Sequence, residues 1–303
     1  MKLIKPYFEI WEQPTGLEGV YKQIEKVGRV CYKSEDKITE DSAKPFVDRM
    51  IKSGHGAMLE HGTVYLFCPT EEYVNSNGDV QYYNPLEKYQ NNNYSVLVDS
   101  NEGIYVTTNL RVLVENGWMG DLQYLCEPTE SHEKRITVHF VCDRGVSHEF
   151  VRHRVMSFAQ ESTRYCNYSK DKFGNELTFI IPCWLDIPTG HYAYWDGDWC
   201  DIDKMKIQLP EGEHKDIDAF LWTLNNAETH YTLLINSGWK PQEARAILPN
   251  SLKTELVVTG FVSDWNHFFD LRARGTTGAP HPQAKELAEP LMEEFVTRKY
   301  INN

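Results

Sequence analysis

Two apolar periodicities share this 303-residue chain without a regular alternation, and that irregularity limits the folds open to it. Ile136, Val138, Phe140 and Cys142 recur at every second position, as in a strand with one face on a core. Ile217, Phe220, Leu221, Leu224, Tyr231, Leu234 and Ile235 instead form one stripe at helical spacing, and Gly238 marks the end of that helix. Further helices are expected over 16–30, from a cap at Asp41 to about Lys52, over Gln242–Leu248, from Ser263 or Asp264 to Arg272, and over Pro282–Arg298. Thr63–Phe67 and Thr254–Phe261 read as strands. Strands and helices without a β-α-β rhythm predict an α+β fold, a mixed sheet with packed helices.

The length suits one large domain or two small ones, read here as a single domain over 1–303, with enough chain for a sizeable core. Two stretches differ in character from the rest. Residues 68–133 carry turn signals such as Asn77-Gly78 and Asn84-Pro85 between short strand-like pieces, and 184–215 is rich in Trp and Asp. Both are expected to be insertions.

Forty-four acidic against 31 basic residues give a net charge of −13. Such a surface repels phosphate backbones, so nucleic acid is not the expected partner. Any anionic ligand must then be held by a local concentration of Arg. The seven cysteines are widely spaced with no C-x-x-C pair, which points to free thiols and a cytoplasmic setting. No leader is visible at the N-terminus, and no apolar run approaches the roughly 18 residues of a membrane span.

The common phosphate cradles are missing: neither G-x-x-x-x-G-K-[ST] nor G-x-G-x-x-G occurs. His148-Glu149 and His153 imitate a zinc-protease motif, but the two histidines lie ~140° apart around a helix and cannot share one metal. What remains is a basic segment, Arg152, His153, Arg154 and Arg164, interleaved with Val155, Met156 and Phe158. Its bland reading is a solvated helix end. The interleaved apolar residues bury part of the segment, however, and buried Arg needs partners, so a site is the better reading.

The run Arg152-His153-Arg154 followed after seven residues by Ser162 resembles the R-H-R-x7-S signature of flavin-dependent thymidylate synthases. His55–His61 resembles that family's H-x-x-x-x-E-H segment. Glu243–Pro249 is similar to its A-R-x-x-L-P turn, Asn266–Arg272 to its N-x-F-x-x-L-R helix, and His281-Pro282-Gln283 to its H-A-Q. Two positions depart from the pattern. Glu149 stands where the family has Gln, and Gln160 where it often has Glu.

The resemblance implies FAD, dUMP as substrate, methylenetetrahydrofolate and NADPH as co-substrates, and a homotetramer with shared active sites. It implies that Arg272 is catalytic, stabilising charge on the activated uracil. It assigns Glu149, Arg152, Gln160, Glu161, Ser162, Thr163, Arg164, Arg245 and Arg272 to the nucleotide. To the flavin it assigns Arg152, His153, Arg154, Gln160, His267, Ala57 and Glu60, with a leaning for His281. Ser162 lacks an evident neighbouring base and reads as a substrate contact. Cys166 reads as a small buried apolar residue. The implied reaction is reductive methylation of dUMP to dTMP. A pyrimidine nucleotide hydroxymethylase on the same scaffold is the alternative, and a non-catalytic nucleotide- or RNA-binding protein is the competing class.

Overall fold

The computed structural model describes residues 1–74, 77, 79–201, 205–209 and 215–302. Parts of both expected insertions, including Gly78 of the Asn77-Gly78 turn, therefore lie outside the described residues.

In chain order the elements begin with β1 (Lys2–Ile4), β2 (Tyr7–Trp11), α1 (Gly16–Tyr32), α2 (Ala43–Ser53) and α3 (Gly56–Leu59). Next come β3 (Thr63–Pro69), β4 (Glu71–Val74), β5 (Val80–Tyr83), β6 (Val96–Ser100), β7 (Gly103–Asn109) and α4 (Leu110–Asn116). The middle of the chain supplies β8 (Arg135–Asp143), α5 (Arg144–Phe150), β9 (Ser157–Gln160), β10 (Thr178–Ile180), β11 (Gly190–His191), β12 (Ala193–Trp195) and β13 (Asp198–Cys200). The last part holds α6 (Lys215–Asn236), α7 (Pro241–Ala244), β14 (Lys253–Phe261), α8 (Val262–Phe269) and α9 (Pro282–Thr297). The architecture is mixed α+β, with several small sheets among helices.

A four-stranded antiparallel sheet of order β2-β8-β14-β9 forms the centre. On one face Ile136, Val138, Phe140 and Cys142 join Leu256 and Val258 against Phe150 of α5, Trp265 and Phe268 of α8, and Leu287 and Leu291 of α9. On the other face Val257 and Ala159 meet Val27 and Val30 of α1. The expectation of a half-buried strand at 136–142 is therefore corrected: β8 is buried on both faces, with Trp11 of β2 stacked on His139 at 4.6 Å and α1 covering the neighbouring β14 and β9. That second face carries polar residues, several of which bond one another. The Thr137 and Thr259 hydroxyls lie 2.8 Å apart, and His61 Nδ1 is 2.8 Å from the Thr259 hydroxyl.

The stretch after residue 68 is not a loose appendage. β7 pairs with β3 over its whole length, from Thr63↔Asn109 to Pro69↔Gly103, and β6 adds to its other edge. Val64, Leu66, Val106 and Leu110 then share a core with Val20 and Ile24 of α1 and Phe46 of α2. A third cluster joins Leu3, Phe179, Tyr192 and Trp199 to Ile217, Leu221, Leu224 and Tyr231 of α6, so part of the 184–215 excursion is also built in. Helix α2 starts one residue after Ser42, so Asp41 is not its cap.

Candidate active site

Two short loops off the central sheet position the signature. β8 ends at Asp143, whose carboxylate accepts the Val146 N–H at 2.9 Å and caps α5. Gln283, at the start of α9, donates to the same carboxylate at 3.1 Å. Helix α5 is thus pinned at its N-terminus, and its last turn delivers Glu149 and then Arg152-His153-Arg154.

Opposite it, α8 runs into a single π-helical turn, Asp270–Arg274, closed by Gly275 at φ 70°. The expected helix to Arg272 thus ends early as a regular α-helix, and Arg272 rides on the wider turn. Such turns commonly re-aim a side chain at a functional site. A Cβ at Gly275 would sit 2.9 Å from the Gly278 carbonyl, so the tight return of the chain requires glycine there.

Arg272 donates through Nη1 to Glu149 Oε2 at 2.7 Å, through Nη2 to the Glu149 carbonyl at 2.9 Å, and through Nε to His153 Nε2 at 3.2 Å. Burial, together with the nearby Arg272 and His267, pushes the His153 imidazole down to about 4. The ring is therefore neutral at pH 7 and accepts from Arg272. His153 is buried while His148 is exposed; α5 ends at Phe150, so His153 sits in the turn beyond the helix rather than on it.

An open cleft of about 660 Å³ gathers Glu149, Arg152, His153, Arg154, His267, Arg272 and His281. Arg152 and Arg154 are exposed, and among the described residues neither has a carboxylate within 4.0 Å. The loop Thr277–Pro280, which sequence reasoning missed, forms the far wall. Gly275 and Gly278, three residues apart, are its sequence signal. Trp184 of the excursion reaches this edge, its ring 6.1 Å from that of His281.

Residues of the nucleotide group stand apart. Ser162, Thr163, Arg164 and Arg245 do not line the cleft. They form a second corner, where Arg245 Nη1 donates to the Thr163 hydroxyl at 3.1 Å and the Ser162 hydroxyl accepts the Arg164 N–H at 3.3 Å. Neither Arg has a carboxylate within 4.0 Å among the described residues. Two guanidinia without carboxylate partners beside two hydroxyls are a donor set for a phosphate or carboxylate.

Gln160 and Glu161 face inward. The Gln160 amide donates to the Ser147 hydroxyl at 2.8 Å and to the Thr254 hydroxyl at 3.2 Å. Glu161 is 2% exposed; it accepts from Tyr168 OH at 2.9 Å and from Lys253 Nζ at 2.9 Å. Lys253 also contacts Glu255, which in turn holds His139 at 2.9 Å. Burial alone would raise the Glu255 carboxyl. The His139 contact and the Lys253 and Lys33 charges together outweigh burial and hold it well below its usual range.

Glu60 and Ala57 lie elsewhere. The Glu60 carboxylate pairs with Arg111, and its carbonyl accepts from Arg135 Nη1 at 2.9 Å. Glu60 lines a neighbouring cavity of about 510 Å³ that also contains Arg111, Arg135 and Arg154. Arg154 and Val155 border both cavities and form the ridge between them. Arg135, which opens β8, is a cavity residue that sequence reasoning missed; burial lowers its guanidinium to about 10. Ala57 is exposed on α3.

Residues 130–298 match the model of the thymidylate synthase complementing protein family. The chain belongs to that family. The matched region holds the Arg152–Ser162 signature, Arg245, Arg272 and His281, and leaves out Ala57 and Glu60. Among curated relatives, the flavin-dependent thymidylate synthase of Pyrococcus furiosus is 29% identical over 163 residues, 53% of each chain. That of Corynebacterium aurimucosum is 22% identical over 266 residues, 87% of this chain and 72% of the relative. The chain spans about half the length of the first of these relatives. A solved structure of the UMP/dUMP methylase PolB from Streptomyces cacaoi with 5-Br dUMP aligns over 98% of this chain and 93% of that one. Its TM-score is 0.44 and its identity 16%.

Proposed function

We infer that the protein is a flavin-dependent thymidylate synthase that converts dUMP to dTMP, with methylenetetrahydrofolate as carbon donor and NADPH as reductant. The observation that carries this reading is the placement of Arg272 on a π-helical turn, held by Glu149 and by a neutral His153, in the cleft of Arg152 and Arg154. The residues present fit a flavin. Arg152 and Arg154 are cations without carboxylate partners in the Arg272 cleft, and Arg154 also borders the adjoining cavity, which suits a pyrophosphate between two bulky ends. Bound there, FAD would supply hydride transfer.

The chain's own residues do the rest. C5 of uracil is a weak nucleophile, so charge must be drawn into the ring, and the Arg272 guanidinium is the group for that task. Its contact with Glu149 Oε2 keeps it oriented until a ligand oxygen replaces that partner. Arg164, Arg245, Ser162 and Thr163 form the corner suited to the nucleotide phosphate. Because that corner is not in the Arg272 cleft of one chain, an active site made from two chains of a homotetramer brings the halves together. Glu161 does not face solvent, so it acts as a positioning residue for the loop.

The test is direct. The purified protein should be yellow with FAD, should exist as a tetramer, and should form dTMP from dUMP, methylenetetrahydrofolate and NADPH. A colourless protein that forms no dTMP in the presence of added FAD overturns the reading, and a product retaining a hydroxymethyl group replaces it.

A further inference from the structure

A third cleft, of about 640 Å³, lies at the C-terminal end of α1. It reverses the charge balance of the chain, which has 44 acidic and 31 basic residues: six Lys and Arg line it, with Asp36 the one acidic residue among the described lining. Arg29 is committed to Glu25 at 2.6 Å, and Lys33 to Glu35 and Glu255 at 2.7 and 2.9 Å. Lys37, Arg49 and Lys170 have no carboxylate within 4.0 Å among the described residues.

The floor is apolar. The Arg29 and Arg49 guanidinia lie over the Phe46 ring at 4.9 and 5.4 Å, so two cations are held against one aromatic ring. Tyr32 forms the wall toward the nucleotide corner, its ring 5.2 Å from Tyr165, and the Ser162 N–H donates to the Cys31 carbonyl at 3.0 Å. The cleft and the loop 162–165 therefore share the end of one helix.

We propose that this cleft binds the polyanionic end of an organic co-substrate, a molecule with an aromatic body and at least two negative charges. An apolar floor with uncommitted cations around it selects that chemistry, since neither a bare inorganic anion nor a neutral aromatic uses both parts. Two molecules of the proposed reaction have it: a folate with a polycarboxylate tail and a dinucleotide carrying an extra phosphate. Only the identity of the ligand rests on the proposed function.

The experiment measures direct binding to the intact protein by titration calorimetry, without turnover. The probes are tetrahydrofolate with one or five glutamates, and NADPH or NADH, with dUMP as control. In the wild type, the more charged member of one pair should bind tighter, and the preference should shrink with salt. The exposed double variant Lys37→Ala/Arg49→Ala should keep dUMP affinity and lose about tenfold of that preference, as two surface ion contacts suggest. Loss confined to the folate pair assigns the carboxylate tail, and loss confined to the NADPH pair assigns the phosphate. A wild type that binds dUMP but shows no preference in either pair overturns the cleft, as does a double variant with the preference intact. Failure to bind dUMP overturns the functional reading instead.

Discussion

Arg272 grips Glu149 twice, with Nη1 on the side-chain Oε2 at 2.7 Å and Nη2 on the backbone carbonyl at 2.9 Å. The pair ties the π-helical turn after α8 to the last turn of α5. It also accounts for one departure from the family pattern. Glu149 supplies a carboxylate for Arg272, whereas the neutral Gln160 bonds the Ser147 and Thr254 hydroxyls.

On the proposed function, Arg272→Ala removes a donor used chiefly in the transition state. Methylation should fall by about 10²–10³, or ~2.7–4 kcal/mol, with FAD content retained. Lys should rescue poorly, because a point charge cannot replace a fork with three acceptors. Near-normal turnover in the Ala variant removes Arg272 from the chemistry; loss of flavin in step with activity moves it to cofactor binding.

Glu149 is separable from Arg272 by stability. Glu149→Gln keeps an acceptor and should cost under about 1 kcal/mol, while Glu149→Leu strands a largely buried guanidinium and should cost about 1–3 kcal/mol. Urea unfolding of both variants at pH 7 measures the difference. Equal costs would mean that the side-chain contact is idle and the backbone carbonyl suffices.

Much of this was legible in the sequence. The stripe on α6, its Gly238 stop and the alternation of β8 come directly from apolar spacing. The second buried face of β8 did not, because polar Thr137 and His139 at alternate positions read as solvent-facing, whereas Thr137 bonds Thr259 and His139 bonds Glu255. Nor did the pairing of β7 with β3, since long-range strand partners leave no local signal. In the site, the gathering of Arg152, His153, Arg154 and Arg272 followed from motif spacing. The inward direction of Glu161 did not, because its partner Lys253 is distant in the chain.

The buried histidines predict an acid limit. Burial and the Arg135 charge lower His61 to about 3, and His153 is lowered to about 4. Between those values and the usual 6.5 the unfolded chain binds protons that the folded chain refuses. Stability is therefore full above pH 6.5 and declines as pH falls, by on the order of 2–4 kcal/mol for the pair by pH 5 and further toward pH 4. His61→Asn should flatten the decline in urea midpoints between pH 7 and 5. An unchanged slope would exclude His61 as a contributor.

No cysteine should be required for turnover. Burial raises the Cys166 thiol to about 12 and drives that of Cys142 higher still, so neither supplies a thiolate at pH 7. Cys142→Ala and Cys166→Ala should each retain activity within about tenfold, a barrier change near 1.4 kcal/mol. Abolished turnover in a variant of normal stability would call for a thiol in the mechanism.

Lys253 sits between two carboxylates, Glu161 at 2.9 Å and Glu255 at 2.5 Å, with the Glu161 side chain fully covered. Burial opposes the Lys253 charge, but Glu161 and Glu255 outweigh it and hold the ammonium above its usual range. Lys253→Met keeps the stem and deletes the charge, leaving two buried carboxylates short of a partner. Breaking a buried pair in this way costs about 3–5 kcal/mol. Glu161→Gln leaves Lys253 with Glu255 and the Tyr168 hydroxyl with an amide partner, so its cost should be smaller. Since residue 161 precedes Ser162 and Thr163, Glu161→Gln should weaken dUMP binding more than it slows turnover at saturating dUMP. The measurement pairs urea unfolding with dUMP titration for both variants. A Glu161→Gln protein that loses turnover at saturation with dUMP affinity unchanged would place Glu161 in the chemistry itself and end its role as a positioning residue.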